Sequence, residues 1–270
     1  MSAWLPTAPC TPRACVEAPA GVTARAVPRA VLRLTGVVLL LLAGIVLSPL
    51  GARIPASLIR RWCRWIVRAA GVRVRITGAA APTGGLLLVA NHISWLDVPL
   101  LAAVRPARML AKSEVRRWPA AGPLTARGAL FIDRDRLRAL PDTVARIARA
   151  LSEGAAVAAF PEGSTWCGRA QGTFRRAVFQ AALDAGVPVQ PVRIRYRLTG
   201  GTTATAPAFV GDDTLLASLW RVATARGLVA EVEIRAPIPP GTHSDRRALA
   251  HSAQPQETAA PAWTHTVLVA

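Results

Sequence analysis

Lysine is almost missing from this 270-residue chain: of 33 basic residues, all but Lys112 are arginine. Acidic residues are also scarce, 15 in all, which leaves a formal net charge of +18. The preference for arginine, with alanine abundant, is that of a GC-rich coding sequence, so scattered arginine by itself marks no site. Histidine is rare as well: His243, His251 and His265 lie in the last thirty positions, which leaves only His92 in the body. That distribution argues against a multi-histidine metal centre. The four cysteines, Cys10, Cys15, Cys63 and Cys167, form no CxxC pair and no zinc spacing. A reduced, cytosol-facing protein with no metal is expected. No GxSxG stretch occurs, which excludes the strand–serine–helix elbow of the α/β-hydrolases.

Hydrophobic residues are plentiful, 52% of the chain, enough for a sizeable core. A net charge of +18 fits two partners, nucleic acid or an anionic membrane surface. Its distribution separates them. Residues 1–80 hold eleven arginines and one acid, Glu17, a net of +10 clustered around the chain's longest apolar run. Leu34 to Ala52 carries no charge over 19 residues, roughly 29 Å of helix against a hydrocarbon core of about 30 Å. A membrane-inserted helix is the preferred reading; a buried core helix and a monotopic or re-entrant anchor are the alternatives. Arginines on both sides of the run leave its orientation open. Next, ASLIRRWCRWIVRAAG sets Arg60, Arg64 and Arg68 on one helical face and Leu58, Trp62, Trp65 and Ile66 on another. Anionic headgroups would relieve the repulsion among those arginines; the alternative is an amphipathic helix packed on the domain. No nucleic-acid-binding pattern appears, and none is expected as a partner.

Four regions follow. Residues 1–28 read as a disordered tail, or as the product of a start codon set too far upstream, and lack a signal-peptide layout. Residues 29–70 form the anchoring segment, 71–239 a catalytic domain, and 240–270 an irregular tail. The domain is α/β. VRVRITG, GLLLVA, GALFID, AAVAAFP, VPVQPVRIRY and VAEVEIRAPI read as strands. Helix-like segments at 98–104, 141–152 and 174–185 lie between them. This alternation predicts a mixed, largely parallel sheet flanked by helices.

The chemistry concentrates where strand LLLVA breaks into NHISWLD, at Asn91 to Asp97. Within one regular helix, His92 and Asp97 would point about 140° apart. They meet only if the histidine lies in a turn and the aspartate in the first turn of the following helix, with Ser94 a possible N-cap. A carboxylate on one imidazole nitrogen leaves the other free to act as a base. Three further stretches end or interrupt strands: GALFIDRDR (128–136), FPEGST (160–165) and GVPVQPV (186–192). Strand carboxyl ends are where α/β sheets bind ligands. Arg134 and Arg136 alternate as a phosphate grip would, or form a solvated charge cluster with Asp133 and Asp135. FPEG offers Glu162 and the backbone N–H of Gly163 in a turn.

Taken in order, these four motifs resemble those of the glycerolipid acyltransferases, which include 1-acylglycerol-3-phosphate acyltransferase. His92 to Asp97 matches the family's NHxxxxD motif. GALFIDR, FPEGST and VPVQPV look like its second, third and fourth, and the likeness covers roughly 72–239. The resemblance implies His92 as base and Asp97 as its orienter, acting on a lyso-lipid hydroxyl that attacks an acyl thioester directly. It implies acceptor binding by Lys112, Arg134, Glu162, Gly163 and Ser164, with acyl-CoA or acyl carrier protein as co-substrate and no other cofactor. Two departures stand out. Ser164 and Thr165 occupy the place where the family typically has Thr-Arg, and FRRAVF (174–179) lacks a glycine of the corresponding segment. The expected activity is transfer to 1-acylglycerol-3-phosphate, giving phosphatidate, with lyso-ornithine lipid as the alternative acceptor. A non-catalytic lipid-surface protein is a remote alternative. A membrane location, with the catalytic domain on the cytoplasmic face, follows from a thioester donor made in the cytosol.

Overall fold

A computed structural model describes residues 7–17, 26–117, 128–133 and 136–255, apart from the side chains of Ala52 and Leu137. Seven strands form one sheet: β1 (Arg73–Thr77), β2 (Leu86–Ala90), β3 (Arg108–Lys112), β4 (Leu130–Ile132), β5 (Ala156–Ala159), β6 (Val189–Leu198) and β7 (Leu228–Ile234). Their order is β1-β7-β6-β2-β5-β3-β4. β6, β2, β5, β3 and β4 run parallel to one another, and β1 runs parallel to β7. The two blocks join through an antiparallel β6–β7 pair. The expected mixed, largely parallel sheet is present.

Eight α-helices accompany it among the described residues: α1 (Pro12–Cys15), α2 (Ala26–Leu47), α3 (Ala56–Ala69), α4 (Asp97–Val104), α5 (Leu140–Ser152), α6 (Ala177–Ala185), α7 (Leu215–Thr224) and α8 (Arg246–Ala253). β2, with no polar residue, is buried along its whole length, as a strand covered on both faces must be. Its side chains alternate between two cores. Leu86, Leu88 and Ala90 join Val67, Leu100 and Val222 on the face covered by α3, α4 and α7. Leu87 and Val89 join Ile147, Phe179 and Leu249 on the face covered by α5, α6 and α8.

Four segments depart from the sequence reading. Part of the supposed disordered tail is placed: α1 lies against the domain with Cys10 and Cys15 buried. The C-terminal segment is not wholly irregular, since Asp245 caps α8, whose Leu249, Ala250 and Ala253 are buried. β3 and α7 were not foreseen. β3 is short and only half-buried, without the apolar run that signals a strand.

The apolar run is helical in α2 and continues as a 3₁₀ turn through Ser48–Arg53. Within the helical stretch Ala26–Gly51 the most apolar 18-residue window has a mean hydropathy of 2.5, and only 11% of that window is buried. It is docked by one side. Arg29 donates to the Thr224 carbonyl, and Arg33 donates to those of Ala223 and Ala225, capping the C-terminal end of α7 with cations. Trp62 Nε1 of α3 donates to the Leu40 carbonyl. The other side leaves Leu32, Leu39, Leu42 and Val46 exposed, and Leu216 and Trp220 of α7 are exposed as well.

Candidate active site

β2 lies at the centre of the sheet, and the chain leaves it at Asn91. The Asn91 side chain acts as one more strand residue: Nδ2 donates to the Ile194 carbonyl at 2.9 Å and Oδ1 accepts from the Ile194 N–H at 2.8 Å. The ladder to β6 is thereby extended by a side-chain amide, and the main chain is released into the turn.

Asp97 opens α4 and organises that turn. Its Oδ2 accepts the N–H of Ile93 at 2.6 Å, the N–H of Ser94 at 2.8 Å, and lies 2.9 Å from His92 Nδ1. Its Oδ1 accepts the Tyr196 hydroxyl at 2.6 Å. The carboxylate is wholly buried, so these four donors replace its water. Ser94 is not the N-cap expected of it. That position is Leu96, with no side-chain cap, while Ser94 Oγ accepts the Leu96 N–H at 3.3 Å. The helix starts later than a Ser94 cap would set it, because Asp97 itself takes up the donors of the turn.

Against a carboxylate, Nδ1 carries the proton and Nε2 presents its lone pair. Nε2 has no hydrogen-bond partner among the described residues, and the His92 side chain is 22% exposed. Phe160, the first residue of the FPEG turn, stacks on the imidazole at 3.9 Å between centroids and 10° between planes. Proton position, ring plane and exposure together leave the Nε2 lone pair of His92 facing outward, the arrangement that general-base chemistry requires. Tyr196 and Phe160 escaped the sequence reading; the only signal for Tyr196 was that it is the chain's sole tyrosine.

The loop after β5 clamps the turn. Glu162 accepts the His92 N–H at 2.7 Å on Oε2 and the Gly172 N–H at 2.9 Å on Oε1. Trp166 N–H donates to the His92 carbonyl at 2.8 Å, and Phe209 N–H to that of Ile93 at 2.9 Å. Thr165 Oγ1 donates to the Phe209 carbonyl. Gly172 sits where a Cβ would lie 2.5 Å from Trp166 Nε1, so the indole needs a glycine there.

Two expected ligand groups are therefore engaged elsewhere. Glu162 is 3% exposed, with both oxygens taken by backbone donors, so it holds the turn rather than facing an acceptor. Burial pushes its carboxyl up to about 8, opposed by the N–H groups of His92 and Gly172. The Gly163 N–H closes the FPEG turn onto the Phe160 carbonyl at 3.1 Å, with φ at +77°. Ser164 follows it, half-buried. Lys112 ends β3, paired with Ile132 of β4. Both lie on the edge where β2 and β5 also end, and the chain proceeds from Ile132 toward Arg134. Arg134 lies outside the described residues. Arg136 is exposed and 3.6 Å from Asp133.

A second cluster lies beside the loop. Cys10, Cys15 and Cys167, which no spacing rule linked, are all buried, with their sulfurs within 4.8 Å of one another. A hydrogen bond from Cys10 draws the Cys167 thiol down to about 5; burial opposes this, and the backbone N–H groups of Arg169 and Ala170 assist it. The same hydrogen bond, with burial, pushes Cys10 up.

The chain that carries this turn has relatives among known proteins. Residues 71–195 match the family model described as Acyltransferase. The chain is 41% identical over 216 residues to a lyso-ornithine lipid O-acyltransferase of Pseudomonas aeruginosa, an alignment covering 79% of this chain and 80% of that one. This protein belongs to the acyltransferase family. The acyltransferase is also 34% identical over 175 residues to a 1-acyl-sn-glycerol-3-phosphate acyltransferase of Neisseria gonorrhoeae, covering 64% of this chain and 68% of the relative. Its fold is shared with the crystal structure of the 1-acyl-sn-glycerophosphate acyltransferase PlsC of Thermotoga maritima, with a TM-score of 0.62 and 18% identity. That likeness covers 86% of this chain and 93% of the other.

Proposed function

We propose that this acyltransferase moves an acyl chain from a thioester of CoA or acyl carrier protein to the free hydroxyl of 1-acylglycerol-3-phosphate, forming phosphatidate. The outward-facing Nε2 of His92, with Nδ1 held 2.9 Å from a buried carboxylate, carries the reading. Nε2 takes the hydroxyl proton as the oxygen attacks the thioester carbon. The C–S bond breaks, and the imidazolium returns the proton to the departing thiolate. Asp97 keeps the ring in one tautomer and stabilises its charged form. No enzyme nucleophile takes part. The N–H groups of His92, Ile93, Ser94 and Leu96 are already engaged, so they are not available to the oxyanion. Lys112 and Arg134 would receive the acceptor phosphate, with Ser164 near its glycerol part. Glu162 and Gly163 would contribute by shaping the turn around it.

The exposed apolar side of α2 supports insertion into a membrane, with α2 held against the domain by Arg29 and Arg33 and the arginines of α3 near anionic headgroups. A donor made in the cytosol assigns the domain to the cytoplasmic face.

A second acceptor is favoured by a separate observation. The third motif has Thr165 where the family typically has arginine, and its hydroxyl is bound to the Phe209 carbonyl. The lyso-ornithine lipid relative is 41% identical. The deciding experiment supplies purified enzyme with lysophosphatidate or lyso-ornithine lipid, each with acyl-CoA and acyl carrier protein donors. Turnover of lysophosphatidate is expected. Turnover of lyso-ornithine lipid alone would replace the first acceptor by the second.

A further inference from the structure

We propose that Cys10, Cys15 and Cys167 together bind one zinc ion, which fastens the N-terminal segment to the loop that holds the catalytic turn. Three sulfurs within 4.8 Å of one another are close to what one ion requires. Tetrahedral thiolates at about 2.3 Å from zinc lie about 3.8 Å apart, so a small inward movement completes the geometry. At 4.8 Å or less the contacts are those of three ligands converging on a point, whereas a disulfide would join two and strand the third. Soft thiolate donors select zinc among the divalent ions that need no redox partner.

The three cysteines lie in the larger hydrophobic core on the face of the sheet covered by α3, α4 and α7, and two of them belong to a short N-terminal stretch. α1 is four residues long, too short to persist by itself. Cys10 and Cys15 are the buried apolar residues of that stretch.

The consequences reach the reaction centre. Cys167 follows Trp166, whose N–H holds the His92 carbonyl. From Cys15 the chain runs to Glu17, whose N–H donates to Thr205 Oγ1 and whose carboxylate pairs with Arg169. Zinc would turn this seam into a cross-link between segments about 150 residues apart in sequence. Binding would release the protons of the thiols that are still protonated, and three thiolates around zinc leave a net charge of −1, with one corner open to an oxygen donor.

The test is metal content and ligand-field spectroscopy on full-length enzyme, purified in detergent without a metal-affinity resin from zinc-supplemented cells. The wild type is expected to carry about one zinc per chain. Cys10→Ser and Cys167→Ser are expected to lose it, while Cys63→Ser, altered at a buried cysteine outside the cluster, keeps it. Wild-type protein reloaded with cobalt should show the thiolate-to-cobalt charge-transfer bands of multiple sulfur ligands, a readout that depends on no variant. Metal-free wild type with four free thiols would overturn the proposal, as would a Cys10–Cys167 or Cys15–Cys167 disulfide in a non-reducing peptide map.

Discussion

The hydroxyl of Tyr196, on β6, donates to Oδ1 of Asp97 at 2.6 Å, across ninety-nine positions of sequence. This bond saturates the one oxygen of Asp97 that neither the turn nor His92 reaches. Burial and the Asp97 charge keep the phenol protonated by raising its pKa far above the ordinary value. Tyr196→Phe removes the donor and strands a buried carboxylate oxygen. The expected cost is about 1–3 kcal/mol of stability. Thermal unfolding checks it, and kcat is expected to fall with little change in KM, because Tyr196 positions the dyad rather than the substrate.

Asp97→Asn keeps the shape and removes the charge. An amide nitrogen placed at Oδ2 would face the N–H groups of Ile93 and Ser94, and an amide oxygen there could hold His92 but not stabilise an imidazolium. We expect kcat to drop by about a hundredfold to ten-thousandfold, as for His92→Ala, if general-base assistance is lost. Single-turnover rates at saturating acceptor are the measurement; a variant within threefold of wild type, roughly 0.6 kcal/mol in barrier, would sink the assigned roles.

Glu162 makes stability depend on pH in an unusual direction for a carboxylate. Its pKa is about 8 in the folded protein against 4.5 as the ordinary value. Between these values the folded state holds the additional proton, so the group's contribution is fully present below about 4.5 and is lost as pH rises to about 8. Glu162→Gln cannot titrate, and its unfolding free energy should lack this decline. The substitution also sets an NH2 group against a backbone N–H, costing about 1–3 kcal/mol. Urea midpoints of both proteins near each end of that range provide the check.

Leu39 and Leu42 stand on the uncovered side of α2, 60% and 52% exposed. Burying each in a bilayer is worth about 1.5–3 kcal/mol, and a carboxylate at that depth costs about 2.5–3.5 kcal/mol. The double change of both leucines to aspartate should therefore move the protein from the pellet to the supernatant after an alkaline membrane wash. It should leave the melting temperature nearly unchanged, because neither side chain is part of the core. Retention in the pellet would show that other surfaces carry the attachment.

Much of the site was readable before the fold because its decisive contact is local. Residues 92 and 97 meet within a single turn, and the strand-to-turn change that allows this is written in LLLVANHISWLD. The sheet strands β2 and β5 were legible for a similar reason: full burial leaves an uninterrupted apolar run. β3 left no such trace, since its half-buried residues mix Arg108 and Lys112 with apolar neighbours. For Glu162, the residue type suggested a ligand, while its neighbours in space made it a brace.

By itself, then, the amino-acid sequence determined the α/β alternation, the exposed apolar helix with its flanking arginines, and the local His92–Asp97 pair, all products of periodicity or short-range geometry. Only the tertiary structure decided which groups complete them. Tyr196 reaches Asp97 because β6 lies beside β2, and the carbonyls of Ala223 and Ala225 reach Arg33 because α7 packs on α2. Cys167 meets Cys10 and Cys15 because the N-terminal segment crosses the loop after β5. Each joins residues about a hundred or more positions apart, and such pairings are set by packing and strand order, which no local pattern encodes.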